Sequence, residues 1–537
     1  MNLLNTSWLT VRRQDGSLSI LGVKDVADPD AVDIIAPRPD FRGAIYQFLI
    51  GLLQTAYAPE DEDEWLERWE HPPSAADLEK AFAPWEHAFA LDGDGPRFMQ
   101  DVDTLINDPN RGEVKQIASL LIDAPGEKTV RDNLDFFTKR SAVEAVCPAC
   151  AAVALYALQT NAPSGGVGHR VSMRGGGPLT SLLVPVTDDG SRHISLWQRL
   201  WINVLPADGV AQPGGSFHGD ALKDILPWLV TTRSSEKKDG QTTPDHAHGL
   251  QAYWGTPRRL RLDWEATHEG LCDLCGAEST SLLTQFRTKN YGVNYLGWQH
   301  PLTPYYHDPK KKELPLSVKG QKGGIGYKHW LGLTLGSPDL QPEAAKVLRH
   351  FMQQRWDRLG AGYSTLVWAF GYDMDNMKAR CWYDATLPVH RIPARRQMEF
   401  ALVVGELLEV AQEASRLLPR HVKAAWCDRP ADLKDEPAVA QSFWHATEPP
   451  FYRTIATLAG EGALEPLPRA QMQQAWLKAV SASCLNLFDD WVTGEYLKDW
   501  DIERTVRART DLRHWLNSAK PMKALWKNVN QQLKEVA

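Results

Sequence analysis

Cys147-Pro148-Ala149-Cys150, then a short apolar run to Ser164-Gly165-Gly166-Val167-Gly168-His169-Arg170 and on to Met173-Arg174-Gly175-Gly176-Gly177, is the stretch around which the rest of the chain can be placed. Two thiols at this spacing share one tight turn. A second pair, Cys272-Asp273-Leu274-Cys275, lies far downstream. Together the pairs supply the tetrahedral sulfur set that zinc prefers, and four protein ligands leave no open position for chemistry. Cys147, Cys150, Cys272 and Cys275 therefore read as a structural zinc site. Residues 151–271 separate the pairs, more than a compact zinc ribbon contains, so the metal would join distant segments. The plainer alternative is a pair of buried thiols.

The glycine-rich loop is the second signal. Glycines at 165, 166 and 168 let backbone N–H and C=O groups approach a partner with no Cβ in the way. Flanked by His169, Arg170 and Arg174, such a loop can lie in a minor groove or cradle phosphate. A flexible connector explains the same composition. No Lys-Ser or Lys-Thr follows at P-loop spacing, which argues against a nucleoside triphosphate site.

At 537 residues the chain is too long for a single core. A net charge of -8 speaks against a protein that grips nucleic acid over its whole surface. The charge is uneven, with an acidic run at Glu60-Asp61-Glu62-Asp63-Glu64. Lys310, Lys311, Lys312, Lys319, Lys322 and Lys328 crowd one short span. The two runs read either as solvated surface or as a local basic face on an acidic body. The 21 tryptophans serve mainly a core, with some free for a partner or for bases. No signal peptide opens the sequence, and its longest apolar runs are too short to span a bilayer. Seven cysteines, four of them in CxxC pairs, suit a reducing compartment with a metal site, so a cytoplasmic protein without membrane association is expected.

The fold class expected is α+β: a large mixed domain over residues 1–390 carrying the zinc site, then a C-terminal antiparallel four-helix bundle over 391–537. Asp15-Gly16 marks a hairpin. Asp40 is placed to cap a helix running to about Tyr57, and Ser74 with Asp77 has capping-box spacing. Residues 179–186 and 258–264 read as strands, and 234–249 as a polar, flexible insertion. Apolar periodicity over 396–418, 437–460, 468–494 and 500–533 gives the four helices of the bundle. Phe136-Phe137-Thr138-Lys139-Arg140 reads equally as a base-stacking, phosphate-pairing segment or as a helix with snorkelling cations.

Catalytic signatures are missing: no HExxH, no GxSxG elbow, no kinase set and no dinucleotide fingerprint occurs. His307-Asp308, with His246 and His248, is the one arrangement that a metal-dependent nuclease could use. A purely structural scaffold is the other alternative. Cys381, Cys427 and Cys484 have no motif partner and are assigned to the core.

With these residues in view, the chain resembles the large subunit of the type I-E CRISPR Cascade complex, the CasA family. The resemblance runs through Asn2-Leu3-Leu4, Trp8-Leu9-Thr10-Val11, Ala83-Pro84-Trp85, Pro96-Arg97-Phe98-Met99-Gln100 and the paired CxxC motifs. It continues through Met173-Arg174-Gly175-Gly176-Gly177-Pro178-Leu179-Thr180, Asn203-Val204-Leu205 and Trp298-Gln299-His300-Pro301-Leu302-Thr303-Pro304. The resemblance implies a non-catalytic subunit of an RNA-guided surveillance complex. Such a subunit reads the protospacer-adjacent motif of double-stranded DNA from the minor groove, promotes strand separation and R-loop formation, and helps recruit the helicase-nuclease. Its partners would be the other Cascade subunits, the CRISPR guide RNA, the target duplex and the helicase-nuclease.

The family's functional positions carry over one at a time. Its glycine loop resembles Gly165, Gly166, Val167 and Gly168 beside Arg170, with Val167 departing from a plainer glycine run. Its minor-groove lysine resembles Lys289, with Arg287 as a second basic position. Its strand-splitting wedge resembles Asn376 and Met377, where the family's glutamine is absent. The loop that docks near the guide's repeat-derived end resembles Phe136, Phe137, Lys139 and Arg140.

Overall fold

The computed structural model describes residues 1–536 except 104, 106–111, 135–141, 167, 188–192, 238, 308–313, 321, 336–341, 361, 376–377, 435 and 494–500. The chain divides into two compact units, one of residues 1–322 with 341–386, the other of residues 323–340 with 387–537. The first is mixed α+β and the second helical. No helix among the described residues is long and apolar enough to cross a membrane.

The first unit opens with β1 (Leu9–Arg13) and β2 (Leu18–Leu21), joined by the expected turn. There the Ser17 amide donates to Asp15 at 2.8 Å, and Gly16 takes the left-handed φ of +84°. β3 (Ala31–Ile34) completes an antiparallel sheet of order β2-β1-β3. Next comes α1 (Pro39–Ala56), buried along nearly its whole length because it is apolar on every side. Asp40 is not its cap. Extended Arg38 holds that position, and Pro39 fills the first turn, where a missing N–H costs nothing. The Asp40 carboxylate is buried instead, bound by Arg38 Nε at 2.9 Å and by the Tyr372 hydroxyl. Phe48 of α1 stands at the centre of an aromatic cluster, with Trp8, Phe89, Phe98, Tyr156 and Trp254 packed edge-on at 5.7–6.1 Å.

The acidic run forms the start of α2 (Glu62–Glu70), capped by Asp61. Part of it leaves the solvent. Glu62 accepts from Arg355 Nε at 2.8 Å and pairs with His350 Nε2 at 2.7 Å. Burial alone would raise its pKa, but the bonds from His350 and Arg355 and the arginine's charge outweigh that and bring it down to about 2. Residues 75–82 form a helix with the expected Ser74–Asp77 capping box.

Further elements position the candidate site. They are β4 (Glu113–Gln116), α3 (Pro148–Asn161), β5 (Thr180–Thr187), β6 (Arg259–Leu262), β7 (Thr267–Leu271), β8 (Glu278–Leu283), β9 (Gln285–Lys289), β10 (Tyr363–Asp375) and β11 (Lys378–Val389). β9 is the centre of an antiparallel sheet of order β4-β9-β6, β7 and β8 form a hairpin, and β10 lies between β11 and β5. α3 packs on α1. Residues 234–249, expected as a flexible insertion, are knitted in. Thr242 and Ala247 are buried, and residues 241–242 pair in parallel with 294–295. Trp298 Nε1 donates to the Thr242 carbonyl at 2.9 Å. Polar composition misled here because the buried contacts are few and set by backbone pairing.

Among the described residues the helical unit holds five long helices rather than four: α4 (Ala394–Trp426), α5 (Pro437–Ala459), α6 (Pro466–Thr493), α7 (Ile502–Ser518) and α8 (Lys520–Val536). The last expected helix is split at Ala519, whose ψ of 147° is extended, and Pro521 beyond it has no N–H to return to the preceding turn. α4 instead runs through Pro419, because Leu417, Leu418, His421, Val422 and Ala425 stay on its buried face. Segment 323–340 belongs here because its aromatics need these helices. Tyr327 stacks on Phe451 at 4.4 Å and shares a 2.7 Å hydrogen bond with Thr447. Lys328, expected with the lysine-rich span, sits over Trp444 at 5.9 Å.

Candidate functional site

The four motif cysteines come together. Their sulfurs all lie within 4.8 Å of one another, and Cys147 Sγ is 3.7 Å from Cys275 Sγ. A disulfide would need about 2 Å. Sulfurs about 2.3 Å from a tetrahedral ion are about 3.8 Å apart, so the donor set fits zinc in number, type and spacing. Among the described residues this is the one group of three or more side chains able to hold a metal together. Hydrogen bonds from Cys147 and then Cys150 pull the Cys272 thiol down. Hydrogen bonding to Cys147 and Cys272, then burial, pushes Cys150 up. Four thiolates in so small a volume would need a cation among them.

Local structure builds the cluster from both sides. Cys147 is the N-cap of α3, with the Cys150 amide 3.5 Å from its sulfur and Pro148 in the first turn. Cys272 to Cys275 form the tip of the β7–β8 hairpin. Gly276 closes it, donating to the Cys272 carbonyl at 2.8 Å with a left-handed φ of +73°. The Asp273 carboxylate receives the amides of Glu144 and Ala145, each at 2.7 Å. Val146 and Leu283 exchange both backbone hydrogen bonds. The two cysteine turns are thus aligned by backbone before any metal is considered.

From the cluster, α3 runs 14 residues to Asn161, about 21 Å at helical rise, and delivers the glycine loop. The β8–β9 segment leads from the same cluster to Lys289. The two segments meet again there. The Tyr291 amide donates to the Gly168 carbonyl at 2.8 Å, and a Cβ on Gly168 would stand 2.7 Å from that of Asn290. Gly166 and Gly168 have φ of +96° and +78°. Gly165 and Gly166 are exposed, and Asn290 next to Lys289 is exposed as well. Gly168 is therefore held against the end of β9.

The basic residues around it differ in availability. Arg170 bonds Ser235, with Nε 2.7 Å from the hydroxyl and Nη2 2.8 Å from the carbonyl. Arg174 is deeply buried, bonded to Thr180, Thr303, Gln47 and the Thr160 carbonyl, so it flanks the loop in sequence only. Arg287 lies 3.9 Å from Asp263. Lys289 stands opposite Arg259, and Arg287 opposite Arg261, on one face of the β4-β9-β6 sheet. Arg259 pairs with Asp101 and Asp103. The alternating arginines of β6 and the adjacent Arg258 were passed over in the sequence as a plain strand. Basic residues at every second position were the available signal.

Asn376 and Met377 lie outside the described residues, but the strands on either side, ending at Asp375 and starting at Lys378, are neighbours in one sheet. Val167 and Phe136, Phe137, Lys139 and Arg140 also lie outside them, as does Asp308. His246 and His248 use their Nδ1 atoms locally, accepting from the Thr243 amide at 3.0 Å and the Leu250 amide at 3.1 Å.

A mixed unit with a four-cysteine cluster at one end of α3 and a glycine loop beyond the other, followed by a helical unit, defines a two-part protein. The family model for CRISPR-associated protein Cse1 matches residues 2–487, and the chain belongs to that family. Its fold is that of Thermobifida fusca Cse1, with a TM-score of 0.70 and 16% identity over 97% of this chain and 98% of that one. Cse1 from Acidimicrobium ferrooxidans is similar at a TM-score of 0.68 and 16% identity, over 99% and 98%. A chain of a CRISPR RNA-guided surveillance complex matches at 0.65 and 16%, over 96% and 99%.

Proposed function

We propose that this protein is the non-catalytic large subunit of a type I-E CRISPR surveillance complex, assembled with the other Cascade subunits and the guide RNA. It reads the protospacer-adjacent motif of target DNA from the minor groove with the glycine loop and Lys289. Asn376 and Met377, which lie between β10 and β11 in sequence, promote strand separation and R-loop formation, and the assembled particle recruits the helicase-nuclease. Phe136, Phe137, Lys139 and Arg140 dock near the guide. Zinc at Cys147, Cys150, Cys272 and Cys275 is structural.

One observation carries this reading: the glycine loop and the end of β9 are locked against each other at Gly168 and Asn290, so an exposed strip of backbone and Lys289 share one edge. A minor groove, narrow and lined by acceptors, suits a donor-bearing backbone and one long cation. Family membership and the surveillance-complex relative support the same reading. His307, His246 and His248 form no metal-holding group among the described residues, and nothing favours the nuclease alternative.

The test is binding of the reconstituted complex to target duplexes that differ only in the flanking motif. Lys289→Ala is expected to weaken binding on the order of tenfold and to flatten the preference between motifs. Wild-type affinity and preference at matched salt would remove Lys289 from the role.

A further inference from the structure

Arg258 lies directly under the glycine loop. Its backbone is fixed by Gln159, which accepts from the Arg258 amide at 3.0 Å and donates to the Arg258 carbonyl at 2.9 Å. Its Nη2 donates to the Pro163 carbonyl, at the root of the loop. A Cβ built on Gly165 would overlap Nη1 and stand 2.9 Å from Nη2, so glycine at 165 is what leaves the guanidinium room. Nε is buried with no acceptor. No carboxylate among the described residues reaches the group, whereas neighbouring Arg259 holds two, Asp101 and Asp103. Burial lowers the Arg258 pKa to about 10, which leaves it charged at neutral pH.

A half-buried guanidinium with a buried, unbonded Nε and no carboxylate partner among the described residues is costly to keep, and an anion that binds it recovers part of that cost. We propose that Arg258 is a phosphate-binding residue of the glycine loop, its Nη1 taking one backbone phosphodiester of the bound duplex across the side-chain-free face of Gly165. This rests on the DNA-reading function above and adds a contact to it. Lys289 discriminates between flanking motifs, while Arg258 anchors the backbone whatever the sequence. Guanidinium suits the task because its planar fork bonds a carbonyl with one nitrogen and a phosphate with another.

The experiment uses the reconstituted complex and target duplexes with preferred and disfavoured flanking motifs, titrated from low to high salt. Arg258→Gln keeps an amide donor for Pro163 and removes the charge. It should lower affinity for both duplexes by the same factor, on the order of tenfold. It should also reduce the salt slope by about one, leaving the preference ratio intact. Arg258→Lys should retain the slope. Wild-type affinity and slope for Arg258→Gln, with Lys289→Ala still impaired, would overturn the phosphate contact and leave the function standing. Unchanged binding by both variants would overturn both. Equal loss in Arg258→Gln and Arg258→Lys, with a lowered thermal midpoint, would make Arg258 a brace of the loop and overturn its role as a charge.

Discussion

At Gly168 two constraints fall on one atom: the left-handed φ of +78° and a Cβ position only 2.7 Å from the Asn290 side chain. Gly166 has the first constraint without the second, since open space surrounds its would-be Cβ. Gly168→Ala should therefore cost more than Gly166→Ala, about 1–3 kcal/mol of local strain with displacement of the 290–291 backbone. Gly166→Ala should cost about 1 kcal/mol. Thermal melts beside duplex titrations of the assembled complex check both. Equal effects would mean the close approach to Asn290 is unimportant. Arg174 illustrates the opposite case at this scale, a basic residue beside the loop in sequence whose side chain is buried in the core.

The elements that matter most are α3 and the β7–β8–β9 segment, which touch at the cysteine cluster and again at the glycine loop. Loss of metal at one end should loosen the other. Purified protein is expected to carry about one zinc per chain by plasma emission. Chelation or Cys272→Ser should lower the thermal midpoint and speed hydrogen exchange over residues 162–172 and 285–292. Metal-free protein with unchanged exchange in those stretches would refute the coupling. Helix boundaries were less legible than helix existence. Pro419 is carried inside α4 by the buried face around it, whereas at Ala519 the chain turns and starts a new helix.

Over the whole molecule, the long-range ties within the first unit are hydrogen-bonded charges as well as apolar packing. Glu62 holds His350 and Arg355, which lie far along the chain. Because its folded pKa of about 2 lies below the unfolded value of 4.5, its stabilisation is fully present above about pH 4.5 and is lost as pH falls towards 2. Urea unfolding of wild type and Glu62→Gln should differ most near neutral pH and converge in that acid window. A difference independent of pH would show that Glu62 acts by packing alone.

By itself the sequence determined the cysteine set able to hold a metal, the hairpin at Asp15-Gly16, most of the helices and the mixed-then-helical order, because cysteine spacing, turn residues and apolar periodicity are local signals. It also pointed to the glycine loop through its composition and, separately, to Lys289 through the likeness to the CasA family. Only the tertiary structure decided that these two share an edge, that Arg174 is buried, that no carboxylate among the described residues pairs with Arg258, and that residues 323–340 join the helices. Those outcomes depend on which distant segments pack together, and burial and charge pairing across the fold leave no mark in any local stretch of residues.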